Sequence, residues 1–548
     1  MKRLLRSEHT KVFGFFWVVL FLLYLPAARA GMVSDFPKWL ESIRTQSFHD
    51  YINNADTSSL YQLTQFTTYV FYKLFGTNPW LWHLLQLTMH AINCLLLFIF
   101  FSRLLTVSAI KGARIIAFGG VFLFCISPYN TEVVVHEPCY HYLQGMLLVM
   151  LILLWVQKFY LRQQIKHAWY AAILFYLSTW SLELFYVVPA FVFTLALYYL
   201  FTFADRKAFR RVMLLFFLPQ VLIFIVYLIT LRMVSHVLLA HTGFAGNAAT
   251  YCSRFPDYLF HIVLLGRSFP VDIRQAVYAF CSTTAFLTVF YSLLIMACIF
   301  ILLRFRKMEA KGKATALFFV WVLFSVIIVL PQDFPVIQYV SFDRYCYFME
   351  PFIYIVLVLL LSRLRYSIVS IGILAVYSLV NMYYLDKINK YWGTSAKVVD
   401  SLVAGFLNTG NKDIVLLNLP ENMDGALMIG SRGESLFKLT YNNLGRGKRI
   451  TSAVYDIASY NMNTAGDGVH ATVINDSTVR VTFNKSGNWW WYHYLGAGNR
   501  ENDVYKVVFN GGSYDLTMRQ PPINFAILFT TGGEWRTLDW SKKGVDQY

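Results

Sequence analysis

The residues best suited to chemistry in this sequence are acidic and histidine side chains placed beside long apolar segments. Glu132, His136, Glu137 and His141 fall within one short stretch between two such segments. Side chains of these types can ligate a metal ion, but histidine and glutamate beside a helix end more commonly form hydrogen bonds. A divalent cation is therefore left open and no cofactor is predicted. Glu183 lies in a tight connection between two further apolar segments, and it should face a polar cavity because exposure to lipid is costly.

Two further candidates lie immediately outside apolar segments. A carboxylate such as that of Asp35 can take a proton from an attacking group, although a solvated loop acid or a helix cap explains Asp35 equally well. Arg344, which Tyr345 follows, carries a planar guanidinium that fits phosphate oxygens, and its structural alternative is an ion pair with Asp343. Arg232 is a weaker candidate, because a basic residue at the end of an apolar helix often only extends its charged group to the membrane–water interface.

The composition indicates which elements must position these residues. Of 548 residues, 57% are hydrophobic and 14% are charged, whereas a soluble chain carries roughly 25% charged residues. The bilayer is therefore the expected solvent. The formal net charge of +17 does not indicate nucleic-acid binding, because the basic residues cluster in short connections between apolar segments.

Eleven apolar segments are predicted to span the membrane, since a spanning helix needs ~20 mostly apolar residues. Lysine and arginine cluster in alternate connections, which the positive-inside rule assigns to the cytoplasm. The N-terminus is then cytoplasmic, and everything after residue 385 lies outside. Most acids before residue 390 fall on the outer side, which favours an acid-lined cavity that opens outward. The predicted spans are 12–30, 81–102, 115–129, 141–157, 167–182, 185–203, 213–233, 280–303, 314–331, 347–362 and 367–384.

The N-terminal segment has two interpretations. Basic residues, an apolar run and Ala28-Arg29-Ala30-Gly31 are typical of a cleaved signal peptide, and an uncleaved first span is the alternative. The uncleaved span is favoured, because it would hold the loop that contains Asp35 in place. Either interpretation puts residue 31 onward outside.

The C-terminal part has a different pattern. Asp413 to Asn418 reads as a strand, and two stretches alternate around turn residues, Ala471 to Phe483 and Val504 to Met518, as in hairpins. The predicted fold is thus an α-helical polytopic membrane domain at 1–390 with about eleven transmembrane helices. A helical linker at 391–410 and a β-rich extracytoplasmic domain at 411–548 follow it.

Several segments of the membrane part, taken in order, resemble the GT-C superfamily of membrane glycosyltransferases, and especially the membrane core of protein O-mannosyltransferases. Ser127 and Leu182 stand where that family has His and Lys. The segments that carry the resemblance are Tyr61 to Pro79 with Trp82-His83 and His90 to Asn93, Ser127-Pro128-Tyr129-Asn130-Thr131-Glu132-Val133, Leu182-Glu183 with Pro189, and Asp343-Arg344-Tyr345-Cys346-Tyr347.

The resemblance implies transfer of a sugar from a polyprenyl-phosphate or polyprenyl-diphosphate donor to a protein, glycan or lipid acceptor outside the membrane. It also puts the catalytic acid of the family at Asp35. The site predicted on this basis has Asp35 as general base, with Asp50 and Asp56 as fallbacks, Arg344, Arg232 and Tyr345 at the donor phosphate, and Glu132, His136 and Glu183 at the sugar or acceptor.

Two other classes of function stay open. One is a transporter or flippase of lipid-linked saccharides, although the sequence has no internal repeat of the kind usual in transporters. The other is a non-catalytic assembly protein. The expected partners are the lipid-linked donor, the acceptor and membrane lipids, without nucleic acid. The expected location is a bacterial inner membrane, with a cytoplasmic N-terminus and a periplasmic C-terminal domain.

Overall fold

The chain folds into a helical part followed by a β-rich part. The structure is a computed structural model, and it describes residues 2–31, 33–34, 36–53, 60–236, 248–330, 340–364, 367–406, 412–430, 452–483, 487–489, 491–492 and 495–548.

Helices dominate the chain up to residue 405, and short 3-10 or π turns join several of them. They are α1 Lys2–Tyr24, α2 Phe36–Thr45, α3 Phe48–Ile52, α4 Gln62–Phe75, α5 Pro79–Val107, α6 Ala113–Cys125, α7 Thr131–Val135, α8 Tyr140–Arg162, α9 Lys166–Ser178, α10 Val188–Phe203, α11 Arg206–Val212, α12 Leu218–Ser235, α13 Ala248–Val263, α14 Val271–Cys281, α15 Thr284–Arg304, α16 Ala310–Val329, α17 Glu350–Leu361 and α18 Ser367–Gly405.

Within the described residues, eight helical segments are long and apolar enough to cross a membrane. Counting α6 and the bent segment that follows it as one span gives a ninth. The protein is therefore an integral membrane protein. The eight segments are Glu8–Ala27, Pro79–Val107, Glu137–Arg162, Glu183–Phe203, Arg206–Val234, Thr284–Lys307, Ala310–Val329 and Ile368–Gly405.

All eleven predicted spans fall on helices, but three of them differ from a simple span. The helix expected at 115–129 is α6, which bends by 51° into the segment Pro128–Val135. The helices expected at 167–182 and 347–362 are α9, with 13 residues, and α17, with 12. Both are shorter than the ~20 residues needed to cross a bilayer. At the end of α9, the hydroxyls of Ser178 and Thr179 donate to carbonyls of its last turn, and a turn at residues 347–349 precedes α17.

Two contacts join helix ends that carry basic residues. Glu8 pairs with Arg114 at 2.9 Å, and Lys313 Nζ donates to the carbonyl of Phe201 at 3.0 Å. Each of these contacts joins segments that the positive-inside rule assigns to the same side, so the packing of the spans agrees with the alternation of charge in the sequence.

The last helix, α18, is continuous through Gly405 and includes most of the stretch expected to be a linker. At 1.5 Å per residue, its 39 residues extend about 58 Å. Its side near α1 is close-packed: Asn389 Nδ2 donates to the carbonyl of Leu23 at 2.9 Å, and Gly393 lies against the carbonyl of Pro26. The helix therefore joins the first span to the β-rich part.

The β-rich part contains four sheets among the described residues, with strand orders β15-β14-β1-β4, β11-β12-β13-β7-β6-β16, β3-β2-β5-β8 and β10-β9. The strands are β1 Asp413–Leu416, β2 Leu419–Met423, β3 Ala426–Leu427, β4 Val454–Asp456, β5 Ser459–Met462, β6 Val469–Val473, β7 Thr478–Phe483, β8 Asn488–Trp489, β9 Trp491–Tyr492, β10 Leu495–Gly496, β11 Arg500–Glu501, β12 Tyr505–Asn510, β13 Ser513–Met518, β14 Phe525–Thr531, β15 Glu534–Thr537 and β16 Asp546–Gln547.

The first strand shows how the sheets stack. Side chains alternate between the two faces of a strand: Val415 joins a core shared with the six-stranded sheet, whereas Ile414 and Leu416 join the core that continues into the membrane part. The sheet that contains β1 thus lies between the two cores. Both hairpins expected from the sequence are confirmed, as the antiparallel pairs β6–β7 and β12–β13.

The contact between α18 and the end of the first span gives a stability prediction. A Cβ at Gly393 would lie 2.5 Å from the carbonyl oxygen of Pro26, so Gly393→Ala should destabilise the protein by about 1–3 kcal/mol through overpacking. Gly372→Ala on the same helix meets no atom within 4 Å and should stabilise it by about 0.5–1 kcal/mol. Thermal unfolding in detergent measures both, and equal midpoints for the two variants would contradict the expected close contact.

Candidate functional site

The site is built around two adjacent residues of opposite charge, Asp343 and Arg344, in the helical turn Val340–Cys346. The guanidinium of Arg344 forms an ion pair with Glu132 of α7 through Nη1, and its backbone N–H donates to Glu132 Oε2 at 3.1 Å. Both oxygens of this buried carboxylate are thus engaged by one residue. The guanidinium also lies over the ring of Tyr345, 5.2 Å from the ring centre, and 23% of the Arg344 side chain is exposed.

Asp343 is fully buried and faces a different partner set. His261 Nε2 lies 3.0 Å from Oδ1, and Arg267 Nη1 forms an ion pair with Oδ2. Arg267 also contacts Thr131 Oγ1 at 3.4 Å, while the hydroxyl of Tyr129 donates to the carbonyl of His261. Glu132 in α7 therefore pairs with the charge of Arg344, and His261 and Arg267 hold the carboxylate of Asp343.

Burial shifts the titration of His261. Its pKa is lowered because burial disfavours the imidazolium form, although the hydrogen bond to Asp343 opposes this shift. Arg267 therefore supplies the positive charge that balances Asp343, and His261 contributes a hydrogen bond.

Glu132, His136 and Cys139 form the one group of three metal-ligating side chains found among the described residues, with ligand atoms within 4.8 Å of one another. The set differs from the one considered from the sequence. Glu137 and His141 are not part of it, and His141 Nδ1 instead lies 2.5 Å from the carbonyl of Pro138.

The chemistry of this group favours a hydrogen-bonded cluster. Both oxygens of Glu132 are engaged by Arg344, whose positive charge repels a cation. Cys139 Sγ lies 3.5 Å from His136 Nδ1. The pKa of His136 is lowered to about 3, because burial and Arg344 both disfavour the charged ring, while the backbone of Val33 beside it acts in the opposite direction. His136 is therefore neutral at physiological pH.

Glu183 has a hydroxyl partner. The hydroxyl of Tyr61 lies 2.7 Å from Oε1 and 2.8 Å from Oε2 of this carboxylate. The ring of Tyr61 lies 6.1 Å from His141, that ring lies 4.7 Å from Tyr142, and Tyr142 lies 6.4 Å from Tyr345. A continuous row of rings thus connects Glu183 with the Arg344 end of the site.

The remaining candidates fall into two groups. Asp35 and Asp56 lie outside the described residues. Asp50 accepts a hydrogen bond from Ser47 Oγ at 2.6 Å at an exposed position, and this bond, the largest cause, lowers its pKa. Arg232 is exposed near the end of α12, where it donates to the carbonyl of His236. Both residues thus have local structural roles: Asp50 belongs to the cap at the start of α3, and Arg232 bonds to the backbone at the end of α12.

Arg274 is a candidate that the sequence analysis missed. It lies in the first turn of α14 and is only 5% exposed. Among the described residues, none accepts a hydrogen bond from its Nε or Nη1. Burial lowers its pKa, and the charges of Asp424, Arg267 and Asp343 also act on it, so it belongs to the same cluster. Basic residues are usually rare in loops outside the membrane. The presence of arginines in a loop assigned to the outside could therefore have identified Arg274 as a candidate.

Comparison with known proteins gives distant structural likeness only. No protein-family model and no curated protein matches the chain. The chain is similar to the oligosaccharyltransferase AglB from Archaeoglobus fulgidus in complex with an inhibitory peptide and a dolichol-phosphate, at 11% identity and a TM-score of 0.37 over 75% of this chain. It spans 62% of the length of that protein.

It is also similar to ArnT from Cupriavidus metallidurans bound to undecaprenyl phosphate, at 13% identity and a TM-score of 0.38, covering 81% of this chain and 89% of the other. At TM-scores below 0.5, the function has to be argued from the residues of the site.

The buried pairing of Asp343 gives a second prediction. Asp343→Asn leaves the charge of Arg267 without its partner, and removing one member of a buried ion pair costs about 3–5 kcal/mol. Asp515→Asn breaks a surface pair with Arg480 and should cost about 1 kcal/mol or less. Thermal unfolding of both variants is the measurement, and a loss at Asp343 as small as that at Asp515 would contradict the assigned network.

Proposed function

We propose that the protein is a membrane glycosyltransferase of the GT-C type, which transfers a sugar from a polyprenyl-phosphate donor to an acceptor at the extracytoplasmic face. One observation carries the proposal: a buried cluster of carboxylates and arginines lies where α7, the α13–α14 loop and the segment before α17 meet. Ionisable groups buried inside a membrane protein, away from water, are costly and usually functional. The ordered sequence motifs that resemble the superfamily supply the cluster's central residues, Glu132, Asp343 and Arg344.

In this proposal Asp35 is the general base that takes the proton of the acceptor. Its neighbours in the chain support the assignment. The backbone of Val33 lies beside His136, whose pKa Arg344 helps to lower, and the backbone N–H of Ser34 donates to the carbonyl of Met428 at 2.9 Å. His83 Nε2 lies 2.6 Å from the carbonyl of Ala30. The segment that leads to Asp35 is thus fixed beside the cluster.

The leaving phosphate requires positive charge or hydrogen-bond donors, and two arginines can supply them. The charge of Arg344 is already balanced by Glu132, so it gains less from a phosphate. A buried guanidinium whose Nε and Nη1 have no hydrogen-bond acceptor within the described part of the chain, as at Arg274, gains most from an anionic ligand. We therefore assign the donor phosphate chiefly to Arg274, with Arg344 and Tyr345 at the edge of the same site.

The sugar and the acceptor would bind along the row of aromatic rings that extends from Tyr345 to Glu183. Aromatic faces suit the apolar faces of sugar rings, and carboxylates accept hydrogen bonds from hydroxyl groups. Glu183 accepts from Tyr61, and it has the geometry to accept from a sugar hydroxyl at the same end. Glu132 and His136 would shape the opposite end.

The orientation is part of the proposal. The positive-inside rule places the basic helix ends in the cytoplasm, so the charged cluster and the β-rich domain would lie outside. A bacterial inner membrane, with the C-terminal domain in the periplasm, agrees with this arrangement. The donor's lipid chain would then stay in the bilayer while its sugar reaches the site from outside.

The first test of this function is Asp35→Asn. A general base contributes about 10²–10⁴-fold to the rate, so transfer should fall by at least about 100-fold while donor binding is retained. Purified protein incubated with a panel of polyprenyl-phosphate sugars and acceptors, followed by mass spectrometry of consumed donor, measures the rate. Asp50→Asn in the same loop is the matched control and should transfer normally.

The alternatives give different outcomes in that experiment. A transporter or flippase would move the lipid-linked sugar across the membrane without any glycan product. An assembly protein would show no difference between wild type and Asp35→Asn. Loss of transfer in Asp50→Asn but not in Asp35→Asn would move the base to the other carboxylate.

The second test concerns the donor phosphate. Hydrogen bonds to charged groups contribute about 1.5–3 kcal/mol, so Arg274→Gln should weaken donor binding by about 10- to 100-fold and raise the KM for the donor. Arg232→Gln removes an exposed arginine and should change neither quantity. Binding of the donor is measured by titration of the purified protein. Unchanged donor affinity in Arg274→Gln would remove this arginine from the site.

A further inference from the structure

The hairpin β2–β3, taken as residues 419–429 because Met428 N–H still donates to the carbonyl of Glu421 after β3, belongs to the β-rich part by sequence but packs with the membrane part. Strands β2 and β3 are joined by the two residues Asp424 and Gly425, since Met423 pairs with Ala426. The apolar side chains of this hairpin are at most 5% exposed and join the same core as the membrane helices, not the core between the two large sheets. They are Leu419, Met423, Ala426, Leu427, Met428 and Ile429.

Two backbone carbonyls of the hairpin bind residues beside the proposed active site. The carbonyl of Met428 accepts a hydrogen bond from the N–H of Ser34 at 2.9 Å. The carbonyl of Asp424 accepts one from Arg267 Nη2 at 2.9 Å. Ser34 immediately precedes Asp35 in the sequence, and Arg267 forms the ion pair with Asp343. This short hairpin therefore contacts both the residue that precedes the proposed base Asp35 and the arginine that pairs with Asp343.

The turn has a backbone conformation that few residues adopt. Asp424 has φ +48° and Gly425 has φ +86°, as in the tight turns that favour Asp-Gly. The side chain of Asn422 closes the turn: its Oδ1 accepts from the N–H of Gly425 at 3.2 Å, and its Nδ2 donates to Asn461 Oδ1 at 2.5 Å. The position of the Asp424 carbonyl is therefore set by the turn itself.

We propose that the hairpin β2–β3 is a positioning element of the membrane site, which holds Ser34 and Arg267 through the carbonyls of Met428 and Asp424. Its catalytic meaning rests on the proposed function, in which Ser34 immediately precedes the general base Asp35 and Arg267 orients Asp343 beside Arg344. The C-terminal domain then completes the active site, and the two parts of the chain are one functional unit.

Three substitutions at Asp424 distinguish the contribution of its backbone carbonyl from that of its charged side chain. Asp424→Asn and Asp424→Gly both tolerate positive φ, and both remove the charge that acts on Arg274. Asp424→Val is strained at positive φ because its side chain is β-branched, and it should displace the carbonyl. A misplacement of about 1 Å can cost on the order of 100-fold in rate, so Asp424→Val should lower kcat by about 10- to 100-fold, with a KM like that of Asp424→Gly.

The expected result is a loss of kcat confined to Asp424→Val, with the kcat of Asp424→Asn and Asp424→Gly close to wild type, whereas any effect of the lost charge on Arg274 should appear in the KM for the donor in all three variants. An equal loss in all three variants would assign the effect to the charge of Asp424 and overturn the proposal. No loss in Asp424→Val would overturn it as well. Gly511→Val is the matched control, because Gly511 also has positive φ in a tight turn, that of the β12–β13 hairpin. No described residue of the site is hydrogen-bonded to this turn. The control variant should lose stability without losing kcat.

Hydrogen exchange at the amide of Ser34 tests the contact without any assay of transfer. This amide should exchange faster in Asp424→Val than in wild type, Asp424→Gly or Gly511→Val. Unchanged protection in Asp424→Val would refute the positioning role. If the wild-type protein transfers no sugar, the proposed function fails, and amide exchange then decides the inference alone.

Discussion

The structure depends on the need to neutralise charge where water is scarce. Residues 343 and 344 carry opposite charges at adjacent positions, and neither can be buried alone without a large cost in desolvation. Each finds its partner on a different element, Glu132 on α7 and Arg267 in the loop between α13 and α14. Because α7, this loop and the segment 340–346 must meet to satisfy both charges, the geometry of the polar site follows from this requirement.

The broad architecture could be predicted because it depends on patterns spread along the chain. Long apolar segments predicted helices, and all eleven predicted spans fall on helices, although α9 and α17 are short. The turn residues between alternating stretches predicted the hairpins β6–β7 and β12–β13 correctly. A span at 367–384 and a helical linker at 391–410 were predicted, but not that both belong to the single helix α18, since its C-terminal half loses the uniform hydropathy of a span while keeping helical periodicity.

The site was predicted less completely, because pairing depends on contacts between distant segments. The residue types of Glu132, Arg344 and Glu183 marked them as candidates, but the sequence could not show that Glu132 would neutralise Arg344. Arg267 and Arg274 were missed because they belong to no motif and lie in a long loop. Their interaction with Asp343 appears only in the folded structure.

The continuous course of α18 has a geometric consequence for the two parts of the chain. A helix turns by about 100° per residue, so inserting or deleting a single residue between Leu385 and Leu402 would rotate the β-rich domain about the helix axis as well as translate it. The hairpin β2–β3 would then face away from Ser34. Homologous chains that keep this domain are therefore expected to conserve the length of this segment, whereas its exposed side chains are free to vary.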